Sequence, residues 1–153
     1  MRPRLIYYKP YEVLLYMGNG QHVPEGIRMV QFHPSVVAIG EDAFHNYYNN
    51  LKEVVLNEGL ETIGKQAFTH QKSLQSITFP STVTKIGLEA FRGCSSLKEV
   101  VLNEGLQKIG QYAFYQCTSL SSITIPSTVT EIVGRAFSDC ISLREVTFKE
   151  GLL

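Results

Sequence analysis

The sequence predicts a repeat solenoid, a stack of similar coils with a parallel β-sheet along one side. Two observations lead to this prediction. The ten residues LKEVVLNEGL stand at 51–60 and again, unchanged, at 97–106. Apolar residues also recur along most of the chain at intervals of 23 positions. A unit of this length cannot bury its own apolar side chains, whereas stacked units bury them against one another.

Two columns of residues define the repeat and its boundaries. An Ala-Phe pair recurs at 43–44, 67–68, 90–91, 113–114 and 136–137, and a leucine recurs at 51, 74, 97, 120 and 143. We therefore divide the chain into coils 1 to 6, which begin at Ile27, Leu51, Leu74, Leu97, Leu120 and Leu143. Five coils are complete, and coil 6 is partial. The prediction is an N-terminal cap at 1–26 and a solenoid at 27–153.

Each coil begins with a pattern that is typical of a short strand with one buried face. In coil 3, Leu74, Ile77 and Phe79 occupy positions 1, 4 and 6, with mostly polar residues between them. The same positions are apolar in all six coils. Alternation with a period of two places positions 4 and 6 on the same face of a strand. We expect one such strand per coil, six in all, to form the parallel sheet.

Two kinds of corner follow these strands in turn. Coils 2, 4 and 6 carry Asn-Glu-Gly or Lys-Glu-Gly, at 57–59, 103–105 and 149–151. Coils 3 and 5 carry Pro-Ser-Thr at 80–82 and 126–128, and coil 1 carries His-Pro-Ser at 33–35. Glycine turns the chain through positive φ, and proline presets φ near −65°. Beyond the corner we expect a second turn, then short strands or a helical turn that carries the Ala-Phe pair on the opposite wall.

Coil 5 departs from the pattern at the second turn. The glycine that opens this turn in coils 1 to 4 is replaced by Val133, and Gly134 follows one place later. A β-branched residue is strained at positive φ. Either this position adopts negative φ, or the turn of coil 5 is distorted.

The repeat resembles a known class of unit. Coils 3 and 5, at 74–96 and 120–142, follow the pattern L-x-x-I-x-I-P-x-x-V-x-x-I-G-x-x-A-F-x-x-C-x-S almost throughout. This pattern is similar to the BspA-like leucine-rich repeats, and the similarity extends from Ile27 to the C-terminus. The mixture of Asn-Glu-Gly-Leu and Pro-Ser-Thr-Val units most resembles protist members, such as those of algae. The resemblance implies a leucine-rich-repeat solenoid that binds other molecules and is not an enzyme. It does not indicate which ligand is bound.

The segment at 1–26 does not follow the repeat, and we interpret it as a cap over coil 1. It contains an apolar run at 13–16, and Asn19-Gly20 favours a hairpin turn. No similar segment follows coil 6. The open C-terminal end is therefore a candidate surface for self-association, unless the chain is a fragment of a longer repeat protein.

Composition narrows the range of functions. The 14 basic and 14 acidic residues give a formal net charge of zero. This balance argues against a nucleic-acid partner, which usually requires a basic excess. No apolar stretch suggests insertion into a membrane, and no signal-peptide pattern follows Met1. We predict a cytoplasmic protein, or one at the extracellular surface if a signal is missing from the N-terminus.

No pattern predicts a catalytic, metal or cofactor site. Cys94, Cys117 and Cys140 are spaced by 23 residues and lack the close pairs that metal binding requires, so we expect buried free thiols. The four histidines share no zinc-site spacing. No serine or cysteine shows a recognisable pairing with a histidine and an acid. We therefore expect no enzymatic activity and no cofactor.

Residues between the buried strand positions are predicted to lie on the open face of the sheet. Positions 2 and 3, directly after the first leucine, carry a basic and an acidic residue in coils 2, 4 and 6. The same positions are neutral in coils 3 and 5. Solenoids often bind proteins through such an extended face, although an ordinary solvated face has the same pattern and no aromatic cluster marks this one. The candidate partner-binding residues are Lys52, Glu53, Val55, Gln75, Thr78, Lys98, Glu99, Val101, Thr124, Arg144 and Glu145.

These observations favour a scaffold that binds an unknown protein partner through the sheet face. Two alternatives remain. One is a cell-surface adhesin of the BspA-like type, and the other is a structural module that associates with itself through the open C-terminal end.

Overall fold

The computed structural model describes residues 13–18, 20–45 and 50–150. In these ranges the chain forms short parallel strands and no helix, and successive coils stack into the predicted solenoid. The strands are β1 (Val13–Tyr16), β2 (Met29–Phe32), β3 (Ala38–Ile39), β4 (Glu53–Val55), β5 (Thr62–Ile63), β6 (Ser76–Thr78), β7 (Lys85–Ile86), β8 (Glu99–Val101), β9 (Lys108–Ile109), β10 (Ser122–Ile125), β11 (Glu131–Ile132) and β12 (Glu145–Phe148).

The strands form two walls with the core between them. The back wall is one parallel sheet in the order β11-β9-β7-β5-β3. Equivalent residues of successive coils pair there, as Ile63 does with Ile86 and Ile86 with Ile109. The front wall contains the longer strands β1, β2, β4, β6, β8, β10 and β12. The predicted alternative of short strands on the side opposite the main sheet is therefore the correct one.

Strand β1 extends the front wall beyond the six strands that the repeat predicts. It pairs with β2 in parallel, so that Tyr16 lies opposite Phe32. Strands joined by a hairpin are antiparallel, so Asn19-Gly20 does not connect β1 to β2 as a hairpin. Asn19 itself lies outside the described residues. The Tyr16 side chain is 3% exposed and its ring centroid lies 5.1 Å from that of Phe44, so it packs on the core of coil 1.

The front wall is interrupted, whereas the sequence predicts one continuous sheet. Its hydrogen-bonded groups are β1-β2-β4, β6-β8 and β10-β12. The interruptions therefore fall after β4 and after β8, wherever a coil with a Glu-Gly corner precedes a coil with a Pro-Ser-Thr corner. Between coils 1 and 6, every second pair of neighbouring front-wall strands is therefore not hydrogen-bonded. This spacing of two coils matches the 46-residue repeat of the sequence.

Position 7 of the coils that follow the interruptions is a proline. In coils 1 and 6 this position is His33 and Lys149, and each backbone N–H donates to a carbonyl of the preceding strand at 2.9 Å. In coils 3 and 5 the same position is Pro80 and Pro126. Proline has no N–H and cannot donate to a sheet ladder. The intervals that lack this donor are the two that are not hydrogen-bonded.

The predicted wall of phenylalanines is confirmed. Phe68, Phe91 and Phe114 are 0% exposed. Their rings stack nearly parallel, with centroids 5.2 Å apart for Phe68 and Phe91 and 5.4 Å apart for Phe91 and Phe114. The column runs along the solenoid and ties the coils together through apolar contact.

The Ala-Phe pair lies in a turn and not in a helical turn. Glu89 and Tyr112, which directly precede alanines, have φ of 54° and 56°, in the left-handed region. The N–H of Phe91 donates to the carbonyl oxygen of Ala113 in the next coil at 2.8 Å. Backbone donors are therefore used between coils, whereas a helix would use them within one coil. A positive φ recurs at the residue before the Ala-Phe pair in successive coils, so it is a regular feature of this fold.

The glycine at the second turn is required by close packing and not by its φ. Neither Gly87, Gly110 nor Val133 has positive φ, so the first of the two alternatives for coil 5 is correct. A Cβ on Gly110 would lie 2.6 Å from the carbonyl carbon of Gly87. The turns of coils 2 to 4 thus stack backbone on backbone, which only glycine allows. At the corner after the strand, by contrast, Gly59 and Gly105 have φ of 97° and 116°, as predicted.

Candidate interaction surface

The front wall carries all eleven predicted partner-binding residues, on its strands or just before them. In β4, Glu53 and Val55 flank Val54, which is 7% exposed, so the alternation of the strand turns the first two towards solvent. Of the eleven, only Val101 is half-buried and the others are exposed. Lys52, Gln75, Lys98 and Arg144 precede strands; Thr78, Glu99, Val101, Thr124 and Glu145 lie in β6, β8, β10 and β12.

Strand register brings charged and neutral rows of this surface together. Ser76 lies opposite Glu99, and Thr78 opposite Val101, in the paired strands β6 and β8. Thr124 occupies the same column in β10. The predicted residues therefore share one face, where charged rows alternate with neutral rows.

Ion pairs are found near the back wall but not among the charges of the front wall, within the described residues. Near the back wall, Lys65 Nζ lies 2.5 Å from Glu41 Oε1, and Lys108 Nζ lies 2.7 Å from Glu131 Oε2. No ion pair to a described side chain involves the front-wall charges. Exposed ion pairs contribute little to stability, so unpaired charges are available to a partner at little cost to the fold. The front-wall charges are Lys52, Glu53, Lys98, Glu99, Arg144 and Glu145.

Two equivalent grooves open where the front wall is interrupted. The first groove lies between β4 and β6, has a volume of about 370 Å³, and is lined by Glu53, Val55 and Thr78 among others. The second groove lies between β8 and β10, has a volume of about 300 Å³, and is lined by Glu99 and Thr124 among others. Each groove thus runs between a charged row and a neutral row.

Asn103 lines both grooves, and the sequence analysis assigned it only to a corner. Its Nδ2 donates to the carbonyl oxygen of Phe79 at 2.6 Å and so joins coil 4 to coil 3. Asn57, at the same position of coil 2, donates from Nδ2 to the carbonyl oxygen of Val36 at 3.2 Å. Coil 6 has Lys149 at this position. The recurrence of asparagine at this position was the available signal for a role between coils.

The cysteine column consists of buried free thiols, as predicted. Cys94, Cys117 and Cys140 each donate from Sγ to a phenylalanine carbonyl of the preceding coil, at 3.2, 3.3 and 3.0 Å. Burial raises the pKa of Cys94 to about 12. This thiol is therefore protonated at neutral pH and is a poor nucleophile, because the thiolate is the reactive form.

The histidines and the remaining titratable groups show no cluster suited to a metal. Burial, followed by the charges of Arg92 and Lys72, lowers the pKa of His70, which keeps its ring neutral. His45 Nδ1 lies 3.4 Å from Asp42 Oδ1. Within 13–18, 20–45 and 50–150, no three His, Cys, Asp or Glu side chains are grouped so that they could hold a metal ion. The same ranges contain no helix long and apolar enough to cross a membrane.

Solved structures with this architecture come from several bacteria. The chain is similar to the T. pallidum leucine-rich repeat protein TpLRR, with 31% identity, a TM-score of 0.75 and coverage of 88% of this chain and 62% of that one. A leucine-rich repeat protein from Bacteroides ovatus gives 29% identity, a TM-score of 0.70 and coverage of 82% and 31%. A leucine rich cell surface protein from Faecalibacterium prausnitzii gives 29% identity, a TM-score of 0.59 and coverage of 80% and 39%. The chain spans less than two thirds of each of these proteins.

Comparison with curated proteins gives no match. The family described as BspA type Leucine rich repeat region matches residues 26–153 in six copies, and its boundary agrees with the coil that begins at Ile27. The stacked coils and the solved structures agree with this match. The chain therefore belongs to the BspA-type leucine-rich-repeat family.

Proposed function

We propose that the protein is a non-catalytic scaffold that binds a protein partner through its front wall. The observation that carries this proposal is the set of charges on that wall that form no ion pair with a described side chain, whereas Lys65 pairs with Glu41 and Lys108 with Glu131 near the back wall. Exposed charges without an ion pair in their own chain are suited to steer and orient a partner. The two grooves add concave, partly polar features to an otherwise flat face. Leucine-rich-repeat solenoids in general use extended faces of this kind for binding.

A comparison of two quadruple variants tests the front wall. In the first, Lys52, Glu53, Lys98 and Glu99 are all replaced by alanine. In the second, the paired back-wall residues Glu41, Lys65, Lys108 and Glu131 are replaced in the same way. Both variants remove four exposed charges and leave the net charge unchanged, so both should fold.

The measurement is affinity capture from the source cells, with each variant beside the unmodified protein. We expect the first variant to lose proteins that the unmodified chain and the second variant both retain. Equal recovery by all three proteins would exclude the front wall as the binding surface.

A surface adhesin is the second candidate, and the solved structure of the cell surface protein from Faecalibacterium prausnitzii favours it. This location replaces the cytoplasmic one that the sequence favours and leaves the binding face the same. Labelling of intact source cells with a membrane-impermeant amine reagent separates the two locations. An adhesin is labelled on intact cells, whereas a cytoplasmic scaffold is labelled only after permeabilisation.

A further inference from the structure

The two copies of the coil pair differ much less on the front wall than elsewhere. Coils 2 and 4 are identical at positions 1–10, which form the strand and the first corner, and differ at eight of the thirteen positions that follow. Coils 3 and 5 differ at two of the first ten positions and at seven of the last thirteen. Both parts of a coil belong to the same duplicated unit, so the age of the duplication does not explain this contrast.

Exposure to solvent does not explain the contrast either. Exposed positions near the back wall differ between the copies, and one of them is Lys65 in coil 2 and Gln111 in coil 4. On or just before the front-wall strands, Gln75 and Ser121 differ, whereas the other exposed positions are the same. The unchanged pairs are Lys52 and Lys98, Glu53 and Glu99, Ser76 and Ser122, and Thr78 and Thr124. Exposed substitutions usually have little effect on stability, so the fold does not require this identity. A binding role that both copies share accounts for it.

The front wall therefore offers the same chemical groups at a fixed interval. The back wall is a continuous parallel sheet, in which neighbouring strands lie about 4.8 Å apart. Equivalent residues two coils apart are thus separated by about 9.6 Å. A basic and an acidic residue recur at this interval, and the hydroxyl groups of serine and threonine lie in the neutral rows between them. The three charged rows are Lys52-Glu53, Lys98-Glu99 and Arg144-Glu145.

Among the regular backbone conformations, the polyproline II helix has the repeat that fits this interval. It has three residues per turn and a rise of about 3.1 Å, so every third residue returns to the same side after about 9.3 Å. A heptad of an α-helix advances about 10.5 Å, and alternate residues of a strand lie about 6.7 Å apart. The mismatch with the charged rows is about 0.3 Å per repeat for polyproline II and about 0.9 Å for the α-helix.

We propose that the partner of the front wall is a polyproline II segment that lies along the solenoid axis and carries one acidic and one basic residue in each three-residue turn. This inference rests on the proposed function and adds the chemistry of the partner. The acidic residues of the segment face the basic column of the wall, and its basic residues face the acidic column. A partner with charges of one sign would be repelled by one of the two columns.

The neutral rows favour the same partner. A polyproline II helix has no internal hydrogen bonds, so its carbonyl oxygens are free to accept hydrogen bonds from the hydroxyl groups of Thr78 and Thr124, which are exposed on the wall. An α-helix offers few such acceptors, because its carbonyl groups are bonded within the helix.

Three synthetic peptides with the same number of charges test the spacing. The first contains three repeats of Pro-Glu-Lys, in which proline and the residue before it favour the polyproline II conformation. The second contains three repeats of Pro-Pro-Glu-Lys, so that its charged pairs recur every 12.4 Å or so, at about 3.1 Å per residue. The third is an alanine-based helical peptide with one Glu-Lys pair in each of three heptads. All three have blocked termini.

Titration of each peptide into isotope-labelled protein, followed by NMR, measures the affinity and identifies the residues in contact. We expect a dissociation constant of about 0.1–1 mM for the first peptide, because exposed ion pairs contribute little individually. The second and third peptides should bind at least about tenfold more weakly, since their charges lose register with the rows. The shifted amide signals should belong to the front wall.

Exchange of the two charges within a row tests whether the rows act together. A repeating peptide presents its charges in the same order at every turn. Lys98→Glu combined with Glu99→Lys reverses the order in the middle row alone and should weaken binding of the first peptide by about tenfold. The same exchange in all three rows restores a common order, which the peptide meets by lying in the opposite direction. Its affinity should then return to within about twofold of the original value.

A matched control exchanges the back-wall pair, with Lys108→Glu combined with Glu131→Lys, and should leave the affinity unchanged. Every exchange preserves the composition and the net charge of the protein. The amide spectrum of each variant verifies that it is folded.

Four outcomes overturn the proposal. They are equal affinity for the first and second peptides, tighter binding of the helical peptide, failure of the threefold exchange to restore binding in a folded variant, and no binding of any peptide up to about 10 mM. The capture experiment decides the proposed function separately. Loss of captured proteins without binding of the peptides rejects the polyproline II partner and keeps the scaffold, whereas equal capture by all three proteins rejects the scaffold itself.

Discussion

Glu104 Oε2 accepts a hydrogen bond from Ser127 Oγ at 3.0 Å, across the boundary between coils 4 and 5. Forty-six residues earlier, Glu58 Oε2 accepts from Ser81 Oγ at 3.3 Å. The N–H of Gly105 also donates to Thr128 Oγ1 at 3.1 Å. The Glu-Gly corner of one coil therefore contacts the Pro-Ser-Thr corner of the next coil through these hydrogen bonds. This explains why they alternate and why the sequence repeats in units of two coils.

Acid should weaken this corner. Partial desolvation disfavours the Glu104 carboxylate, but hydrogen bonds from Ser127 and the charge of Lys149 outweigh it and hold its pKa below the ordinary value of 4.5. A lowered pKa in the folded state means that the contact stabilises above pH 4.5 and is lost as the pH falls through the folded value. The coupling free energy of a Glu104→Gln and Ser127→Ala double-mutant cycle should be measurable at neutral pH and vanish at strongly acid pH. A coupling that does not change with pH contradicts this account.

Phe91→Ala should destabilise the protein by about 3–5 kcal/mol, because it opens a cavity in the stacked column. Besides its stacked neighbours, Phe91 contacts Phe79 edge to face, with ring centroids 5.6 Å apart. Phe148→Ala is the matched control and should cost less than about 1 kcal/mol in dilute solution, since this ring is already largely exposed. Chemical denaturation measures both. A loss below about 1 kcal/mol for Phe91→Ala would place the column outside the core.

The same substitution should have opposite effects at two glycines. Gly110→Ala forces a Cβ into the backbone of Gly87 and should cost about 1–3 kcal/mol. Gly134→Ala meets no atom within 4 Å at a residue without positive φ. It should leave stability unchanged or raise it by about 0.4–1 kcal/mol, because alanine restricts the unfolded chain. Thermal denaturation of the two variants side by side is the measurement. Similar losses for both would contradict the packing explanation.

Cys140 should react before the other two thiols in the folded protein. The neighbouring Cys117 thiol lowers the pKa of Cys140, which is 8% exposed, whereas burial raises that of Cys94 to about 12. Alkylation at neutral pH followed by mass spectrometry should therefore modify Cys140 before Cys94 and Cys117, whose pKa values are both raised. Denatured protein without reductant should yield all three thiols. Protection of Cys140 equal to that of Cys94, or fewer than three thiols after denaturation, contradicts the prediction.

The position of the candidate surface could be predicted from the sequence, but its two grooves and the role of Asn103 could not. The alternation around Val54 is local to the strand, so it placed Glu53 and Val55 on the open face. The grooves are not local, because they arise where the strands of two neighbouring coils are not hydrogen-bonded. Asn103 was missed for the same reason, since its amide acts on a carbonyl 24 residues away.

The period of 23, the strand positions, the phenylalanine wall and the chemistry of the corners could all be predicted from the amino-acid sequence. These features follow from periodic burial and from the φ preferences of glycine and proline, both of which are properties of short segments. The break of the front wall in every second interval between coils, and the role of the glycine column in close stacking, became apparent only from the folded chain. The reason is that the breaks depend on which strands of neighbouring coils pair, and that Gly110 lies against the backbone of Gly87 in the coil beneath it. Such relations between neighbouring coils exist only when the coils are stacked.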